Sequence, residues 1–365
     1  MNLPGIKKIN FKDKRVLVRA GFDVPIKNGK ISEDSRIIKS LPTIRLLKNK
    51  GAKIIILSHL GEKKKSLKPI ANYLSKRLKD FKFVSSVSGG AAKKAVLKME
   101  KGDIIMLENL RRDKGEEKND KNFAKKLAGL ANFYVNEAFC VSHREHASIV
   151  GIPKYLPSFA GLLFEKEVGS LSKAFKPKHP FLLILGGVKF ESKLGVLERF
   201  LKIADKIFIG GALANNFFAA KGLDIDKSIF APKVPVKKYL KNKKIVLPSD
   251  VRRNIGGAIL DIGPKTIDNV FGLIKKAKFI LWSGPLGNFE IKGFGRGTEM
   301  VARKIAENSA ISIVGGGDTV AAAMKAGVDD KFSFVSTGGG ATLQFLAKGT
   351  LPGIEALLKS KNKNE

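Results

Sequence analysis

The stretch ISIVGGGDTV, residues 311–320, decides the fold of this chain. Residues 311–314 have the apolar, β-branched character of a short buried strand, and residues 319–326 predict a helix. Three glycines between them indicate a turn that larger residues could not follow. Such a turn gathers backbone N–H groups at a helix N-terminus, where an anion binds well. A plain connection between strand and helix would use the same glycines, so the segment alone leaves both interpretations open.

Composition indicates a globular protein with a strongly positive surface. The chain has 365 residues, 44% of them hydrophobic, which predicts about two domains. Lysine and arginine number 68 against 33 acidic residues, a net charge of +35 that attracts anions of any size. Nucleic acid and small phosphorylated metabolites are both candidate partners. The lysine runs at 63–65 and 359–363 lack the interleaved aromatic residues of a stacking platform, so we expect no specific nucleic-acid partner.

Cysteine usage and hydropathy indicate the cellular compartment in which we expect the protein. Cys140 is the single cysteine, which excludes a disulfide within the chain and favours a reducing compartment. Residues 1–14 carry dispersed charges, and no apolar run reaches the roughly 20 residues of a membrane-spanning helix. We therefore expect a cytoplasmic, soluble protein.

Short apolar runs alternate with helical patterns along the whole chain. Predicted strands are 15–18, 53–57, 103–107 and 133–135 in the first half, and 181–185, 206–209, 244–247, 258–262, 279–282, 311–314 and 332–335 in the second. Amphipathic helices such as 122–130, 196–204 and 298–308 separate them, which indicates parallel strands covered on both faces. The fold class is therefore α/β, with two doubly wound, Rossmann-like parallel-sheet domains.

The segment 159–176 lies between these two sets of strands. Its apolar residues recur at helical spacing, and prolines follow at 177 and 180, so we predict a hinge helix that joins the domains. The first domain is expected to comprise residues 1–158 plus the C-terminal tail 351–365, and the second residues 177–350. Open α/β sheets bind ligands outside the carboxyl ends of their strands. Each domain should therefore offer one ligand crevice.

Cationic and imidazole side chains concentrate at the predicted strand ends of the first half. The set, with one carboxylate, is Arg19, Asp23, Arg36, His59, Arg111, His143, Arg144 and His146. Arginine forks match carboxylate and phosphate oxygens, so a convergent set would bind a small polyanion. Any single arginine could equally be a surface cation. The two histidines His143 and His146 could bind a metal, but no third ligand is nearby, and an anion-contacting or structural role is favoured.

Glycine-rich turns follow strands in the second half. In 185–193, two glycines precede Lys189 and Lys193, which can lie along one side of a phosphate chain. The segment 209–212 lets an aromatic base lie against the backbone, although close strand–helix packing explains it equally well. Residues 282–290 form a rigid turn with a carboxylate, and 336–342 contains a second triple-glycine turn. Neither a Walker A motif nor a dinucleotide fingerprint is present, which weakens the alternative of a Rossmann-type oxidoreductase.

Taken in order, these segments resemble those of the phosphoglycerate kinase family along essentially the whole chain. The matching segments are 19–25, 34–37, 58–61, 108–111, 136–148, 186–193, 282–290, 315–320 and 336–341. The resemblance implies reversible phosphoryl transfer between 1,3-bisphosphoglycerate and MgADP, giving 3-phosphoglycerate and MgATP, by a monomer that closes about its hinge. A non-enzymatic, basic nucleic-acid-binding protein is the remaining alternative.

The resemblance also implies a role for individual residues. It assigns 3-phosphoglycerate to Asp23, Arg36, His59, Leu60, Gly61, Arg111 and Arg144. It assigns the nucleotide to Gly187, Lys189, Lys193, Gly211, Pro285, Glu290, Gly316, Gly317, Asp318 and Thr319, with Asp318 also contacting Mg²⁺. The catalytic set would be Arg36, Lys189, Gly338 and Gly339, which stabilise the charge of the group in transfer.

Four departures from the family pattern fall at functional positions. Gly21-Phe22-Asp23 stands where the family has Asp-x-Asn, and Glu62 replaces an arginine. Ser283 stands for an asparagine and Gln344 for a glutamate. Asp23 can accept hydrogen bonds from a hydroxyl but cannot donate as asparagine does. These changes bear on substrate affinity more than on the type of reaction.

Overall fold

The computed structural model describes residues 1–360 and divides the chain into two compact units. One unit comprises residues 1–168 together with the segment that begins at Thr350, and the other comprises Gly169–Gly349. Residues 361–365, the end of the predicted tail 351–365, lie outside the described part. No described helix combines the length and apolar character needed to cross a membrane.

Strands and helices alternate along the chain. The strands are β1 (Arg15–Arg19), β2 (Ile26–Lys27), β3 (Lys30–Ile31), β4 (Lys53–Leu57), β5 (Phe81–Val84), β6 (Ile104–Leu107), β7 (Phe133–Asn136), β8 (Ser158–Ala160), β9 (Phe181–Leu185), β10 (Lys206–Ile209), β11 (Ile245–Val246), β12 (Val251–Arg253), β13 (Ile259–Ile262), β14 (Phe279–Ser283), β15 (Ile311–Gly315) and β16 (Phe334–Val335). The helices are α1 (Ser35–Asn49), α2 (Lys68–Ser75), α3 (Gly90–Leu97), α4 (Lys114–Glu117), α5 (Lys121–Ala128), α6 (Leu162–Ser172), α7 (Phe190–Phe200), α8 (Gly211–Ala220), α9 (Pro264–Lys276), α10 (Arg296–Ala306), α11 (Gly317–Lys325), α12 (Gly340–Lys348) and α13 (Pro352–Leu358), with short 3-10 and π turns between some of them.

The first unit is built on a six-stranded sheet whose order is β5-β6-β4-β1-β7-β8. Every pairing in this sheet is parallel. The central strands bury apolar side chains on both faces, for example the adjacent residues Val16 and Leu17 on β1 and Ile54 and Ile55 on β4. The strand order reverses between β1 and β7, so the crevice of this unit lies where those two strands end.

The second unit repeats this plan with the sheet order β11-β10-β9-β14-β15-β16, again all parallel. When its strands are counted within the unit, the order is that of dinucleotide-binding folds, and it reverses between β9 and β14. Trp282, the largest fully buried side chain, lies near the end of β14 and packs in the core of this unit. The predicted α/β fold with two doubly wound parallel sheets is confirmed.

Several element boundaries differ from the predictions. The run 258–262 was expected as a parallel strand, yet β13 pairs antiparallel with β12 in a separate two-stranded sheet. The strand β5 was missed because its alternating Phe-Lys-Phe-Val pattern, with intermediate burial at an edge, lacks a continuous apolar run. The predicted hinge helix 159–176 begins later, at Leu162, because residues 158–160 form β8 and pair with β7. It ends at Ser172, and a 3-10 turn follows.

Candidate active site

A buried ion pair lies at the end of β1 in the first unit. The Arg19 side chain is fully buried, and its Nε donates to Ser148 Oγ at 2.8 Å. One terminal nitrogen lies 4.0 Å from Glu116 Oε1. Glu116 is itself fully buried and accepts from the Ser148 hydroxyl at 2.6 Å and from the Ser148 N–H at 3.0 Å. Burial raises the pKa of Glu116, while the positive charge of Arg19 opposes that rise. Arg19 is thus a fixed internal cation behind the crevice.

His59 follows β4 and receives a hydrogen bond from Arg19. The distance from Arg19 Nη2 to His59 Nδ1 is 3.1 Å. Because a guanidinium can only donate, Nδ1 must accept and the ring proton sits on Nε2. Burial, reinforced by the positive charges of Arg19 and Arg111, holds the pKa of His59 well below its usual value. His59 is therefore a neutral donor, and its Nε2 makes no hydrogen bond within residues 1–360.

Asp23 and its neighbours form the wall opposite His59. Asp23 Oδ1 accepts from the Gly61 N–H at 2.9 Å, and Asp23 Oδ2 lies 3.9 Å from His59 Nε2. Arg36, at the start of α1, donates to the Asp23 carbonyl oxygen at 2.8 Å. Arg111 donates to the Gly61 carbonyl at 3.2 Å, and its Nε lies 3.4 Å from Glu117 Oε1. The structure thus brings five predicted residues together around one crevice, with Glu117 beside Arg111 as a supporting group.

The remaining predicted glycerate residues lie close by. Leu60 is buried, and its N–H donates to Asn109 Oδ1 at 3.2 Å, which fixes the loop after β4. Arg144 is exposed, and its positive charge contributes to lowering the pKa of Arg111 and of His59. The Arg144 side chain therefore belongs to the same cationic cluster, and its Nε lies 3.4 Å from His143 Nε2.

The histidine pair of this unit, His143 and His146, lies near Arg144. Burial and nearby arginines lower the pKa of His143 and of His146 to about 4. His146 Nδ1 lies 3.8 Å from Glu116 Oε1. Among the described residues, no group of three or more His, Cys, Asp or Glu side chains is suited to hold a metal ion. The structural or anion-contacting role of this pair stays a prediction.

Backbone turns of the second unit pack against one another at the switch point between β9 and β14. Gly187 donates to the Pro285 carbonyl at 2.7 Å, and Gly211 donates to that of Leu286 at 3.1 Å. Gly211 has φ +56°, and a Cβ atom there would lie 2.5 Å from the Gly187 nitrogen. Only glycine fits this position. The two interpretations of segment 209–212 are compatible, because the close packing also shapes the cavity wall.

A cavity of about 560 Å³ opens beside these turns. Its lining includes five of the residues assigned to the nucleotide, namely Gly187, Gly211, Pro285, Glu290 and Asp318. Most of the other lining side chains are apolar, among them Phe218, Ile229, Leu260 and Leu286. A largely apolar cavity of this size with a few polar groups suits a ligand of nucleotide dimensions.

Charged side chains cluster where the turns after β9 and β15 meet. Lys189 immediately precedes α7, and its Nζ lies 3.7 Å from Asp318 Oδ2 in the first turn of α11. Lys193 lies within α7, which begins earlier than the predicted start near residue 194. Burial lowers the pKa of Lys193 to about 8, with Asp318 opposing that effect. The carboxylate of Asp318, which lines the cavity, thus has the Lys189 ammonium beside it.

The triple-glycine turn that opened the sequence analysis connects β15 to α11. Gly316 has φ +96°, which glycine adopts at little cost, and α11 begins at Gly317 without a side-chain cap. The Thr319 side chain is fully buried, and its hydroxyl accepts from the Gly284 N–H at 2.6 Å. That hydroxyl therefore joins this turn to the turn after β14.

The second triple-glycine turn precedes α12. Gly339 has φ +56° and is the residue before the helix, which starts at Gly340. The Gly338 N–H donates to Ser336 Oγ at a long 3.2 Å, and Gly338 is buried whereas Gly339 is partly exposed. Of the two predicted donors, Gly339 is the one with the more accessible backbone.

Two buried polar residues on the cavity wall were absent from the sequence prediction. Asp261 accepts from the N–H groups of Ile262 at 2.9 Å and Gly297 at 3.0 Å, and burial raises its pKa to about 6. Asn215 donates to the Ile229 carbonyl at 2.9 Å, while its Oδ1 has no hydrogen-bond partner within residues 1–360. An acid within the apolar run 258–262 was the available signal for Asp261. Asn215 carried no such signal, since polar residues are common in helices.

Two such units, one with a cationic crevice and one with glycine turns around a cavity, define a two-domain α/β protein that binds phosphorylated ligands. The phosphoglycerate kinase family model matches residues 6–349. Curated phosphoglycerate kinases from Leptospira biflexa and Akkermansia muciniphila are 42% and 43% identical, covering 100% and 96% of this chain and 100% and 97% of their own lengths. The chain belongs to the phosphoglycerate kinase family, and it is a kinase, a phosphotransferase.

Solved structures of phosphoglycerate kinases have the same fold as this chain. The phosphoglycerate kinase of Coxiella burnetii superposes with a TM-score of 0.87 at 36% identity, over 98% of this chain and 99% of that one. That of Pyrococcus horikoshii gives 0.87 at 32% identity, over 98% of each chain. The family membership named from the sequence motifs is therefore confirmed.

Proposed function

We propose that this protein transfers a phosphoryl group reversibly between 1,3-bisphosphoglycerate and MgADP, giving 3-phosphoglycerate and MgATP. The observation that carries the proposal is the meeting of Lys189 and Asp318, 3.7 Å apart, beside a cavity of nucleotide size. A cation there suits nucleotide phosphates, and the carboxylate suits the metal that accompanies them. The similar proteins of known name are phosphoglycerate kinases, which supports the same reaction.

The acceptor of the proposed forward transfer from ATP is a carboxylate. It is already ionised at neutral pH, so the reaction requires no general base. What the first unit must supply is binding and charge neutralisation. Arg36, Arg111 and Arg144 provide cations, and neutral His59 provides an N–H donor that persists across the physiological pH range. Asp23, Leu60 and Gly61 complete the proposed glycerate site.

Asp318 is the residue that would hold Mg²⁺. It is a single half-exposed carboxylate, and Mg²⁺ commonly binds through one or two carboxylates together with substrate phosphates and water. The donor set therefore fits a metal carried by the nucleotide. When bound, the ion neutralises charge on the phosphate oxygens. Glu290 is proposed to bind the ribose, with Gly187, Gly211 and Pro285 lining the base and sugar. Lys193, Gly316, Gly317 and Thr319 are proposed to face the phosphates.

The group in transfer needs fixed positive charge on its equatorial oxygens. We assign this role to Arg36 and Lys189 and to the N–H groups of Gly338 and Gly339, with the attacking and leaving oxygens in line. Residues 1–158 with the tail 351–365 would bind 3-phosphoglycerate, and residues 177–350 the nucleotide. The segment 159–176 would act as the hinge, since helix α6 runs unbroken across the boundary between the two units at residues 168 and 169. Closure would exclude water, which otherwise would hydrolyse the phosphoryl donor.

A coupled assay tests the proposal. Purified protein with MgATP and 3-phosphoglycerate should form ADP and an acyl phosphate that a reductive coupling enzyme consumes. We expect Lys189→Ala and Arg36→Ala each to lower kcat about 100-fold or more, because each removes a charge that acts in the transition state. Lys276→Ala and Arg45→Ala remove exposed cations of the same type from α9 and α1, and they should not change the rate. Turnover that is absent, or equal in the Lys189→Ala protein, would refute the function.

The association state and partners are further parts of the proposal. We expect a monomer without a specific nucleic-acid partner, and this stays a prediction. Sedimentation at catalytic concentration measures the first, and duplex binding at physiological salt measures the second.

A further inference from the structure

A second cavity, of about 430 Å³, lies beside the nucleotide-sized cavity of the second unit. Phe289 and Ile291 line both cavities, so the segment 289–291 is a wall that they share. The second cavity also reaches β12, the first turn of α10 and the C-terminal end of α11. None of the residues assigned above to the nucleotide lines it. Its chemistry is therefore separate from that of the proposed reaction.

The lining of this second cavity is strongly positive. Its cations are Arg252, Lys292, Arg296 and Lys325. Of the described lining residues only Glu299 is acidic, and it is already neutralised, because its Oε1 accepts from Arg303 Nε at 3.1 Å and from Arg303 Nη2 at 3.0 Å. Within residues 1–360, none of the four lining cations forms an ion pair with a carboxylate. The cavity therefore has four uncompensated positive charges.

Neutral groups hold two of these cations in place. The Arg252 guanidinium donates to the Gly293 carbonyl at 2.8 Å, and the Lys325 ammonium donates to the Phe289 carbonyl at 2.8 Å. A guanidinium has five N–H donors and an ammonium has three, so both groups keep at least two donors for a ligand. An anion can therefore bind to them without breaking either contact.

A protein carboxylate is the alternative partner for the charge of Arg252. Burial raises the pKa of Asp261, and backbone N–H groups together with the positive charge of Arg252 oppose that rise. The Asp261 carboxylate is buried, however, and accepts from the N–H groups of Ile262 and Gly297. No ion pair joins it to Arg252 in the described part of the chain, so the guanidinium stays available at the cavity.

We propose that this second cavity binds a compact polyanion, a short chain of phosphates, at a site distinct from the proposed nucleotide and glycerate sites. A chain of phosphates places three or more negative charges on one small molecule, which matches four cations better than a single carboxylate does. Arg252 and Arg296 each offer a planar fork that can bind two phosphate oxygens at once. The site does not depend on the reaction proposed above.

Binding of tripolyphosphate tests the site directly. The calorimetric titration is carried out without metal ions, on protein saturated with ADP and 3-phosphoglycerate, so that both proposed crevices are already occupied. We expect one tripolyphosphate per protein molecule. In the double variant Arg252→Ala, Arg296→Ala the dissociation constant should rise about tenfold or more. The matched control Lys275→Ala, Lys276→Ala removes two exposed cations of the same unit that do not line this cavity.

The control separates a site from the general charge of the molecule. Both double variants lower the net charge by two, so a diffuse attraction would be weakened equally in both. Equal weakening, or no binding of tripolyphosphate to the unmodified protein, would overturn the proposal. Failure of ADP or 3-phosphoglycerate to bind would count against the function proposed above, and the comparison of the two double variants would still decide on this site.

A second test uses the ion pair on α10. Arg303→Ala should weaken tripolyphosphate binding, because it leaves the Glu299 carboxylate uncompensated at the cavity. Adding Glu299→Gln removes that negative charge and should restore the affinity. Lys304→Ala, which breaks the neighbouring pair with Glu307 away from the cavity lining, should not change it. Affinity that stays low after Glu299→Gln is added would contradict the assignment of this cavity.

The phosphate chain can be free or can be the tail of a nucleotide, and equilibrium dialysis with ATP distinguishes these two sources. If the protein binds one ATP and still binds tripolyphosphate, the ligand is a free phosphate chain. If it binds a second ATP that is lost in Arg252→Ala, Arg296→Ala, and tripolyphosphate no longer binds beside it, the ligand is the tail of a nucleotide. Either result supports the site, whereas one ATP with no tripolyphosphate would refute it.

Discussion

Glu137 should make the first unit less stable as the pH rises through neutrality. Its side chain is 1% exposed, and Oε1 accepts from the Thr43 hydroxyl at 2.6 Å and from the Leu163 N–H at 3.2 Å, at the start of α6. Its Oε2 has no hydrogen-bond partner among residues 1–360. Burial raises the pKa of Glu137 from 4.5 to about 8, so the folded protein keeps a proton that the unfolded chain has released.

The sign and size of the effect follow from linkage. The pKa of Glu137 is higher in the folded protein than in the unfolded chain. Its stabilising contribution to the free energy of unfolding is therefore complete below about pH 4.5 and is lost as the pH rises towards 8. Above pH 8 the free energy of unfolding no longer changes on account of this group. At about 1.4 kcal/mol per pH unit, the limit over this window is about 5 kcal/mol. The variant Glu137→Gln keeps the shape and an accepting oxygen but cannot ionise. The free energy of unfolding of Glu137→Gln should therefore not show this decrease with pH.

Urea unfolding at several pH values between 5 and 9 measures the difference. Far-UV circular dichroism follows both units, whereas the fluorescence of Trp282, the single tryptophan, follows the second unit in the same sample. The unmodified protein should lose free energy of unfolding relative to Glu137→Gln as the pH rises from 5 to 8. Parallel curves for the two proteins across that range would show that Glu137 is not protonated in the folded state, and the reasoning would be wrong.

Two further predictions concern the second unit. Above pH 8 the buried Lys193 ammonium, whose pKa is about 8, should lose its charge, so the KM for MgATP should rise between pH 7 and 9. The Lys193→Arg protein should show a flat profile, and an identical rise in both would contradict the assignment. Thr319→Val should leave the buried Gly284 N–H without its acceptor at a cost of about 1–3 kcal/mol. The melting temperature, followed by Trp282 fluorescence, should fall by roughly 2–4 °C for each kcal/mol lost. The melting temperature of Thr319→Ser should change little.

Much of the architecture could be predicted from the sequence because parallel strands buried on both faces appear as continuous apolar runs. β1, β4, β9 and β15 are of this kind, and glycine turns mark where several of them end. β5 and β13 could not be placed in the same way, since an edge strand has one exposed side and pairing direction leaves no mark in a four-residue run.

The candidate site, like the fold, could be predicted only in part. Which residue types lie at the strand ends could be predicted, because strand ends are positions in the sequence. What those side chains do there could not, since it depends on neighbours far apart in the chain. The tautomer of His59 is set by Arg19, 40 residues away. The Thr319 hydroxyl is engaged by Gly284, 35 residues away.

The placement of α13 has a consequence for how the protein is made. This helix is among the last described residues, yet it belongs to the first unit, where the Gly353 N–H donates to the Ser142 carbonyl at 2.9 Å and Ile354 and Leu357 are fully buried. A ribosome therefore releases the second unit, which is one continuous segment, before the first can be completed. Until α13 has been synthesised, the nascent first unit leaves an apolar surface uncovered, and a chain truncated before Leu351 would keep that surface exposed to chaperones and proteases.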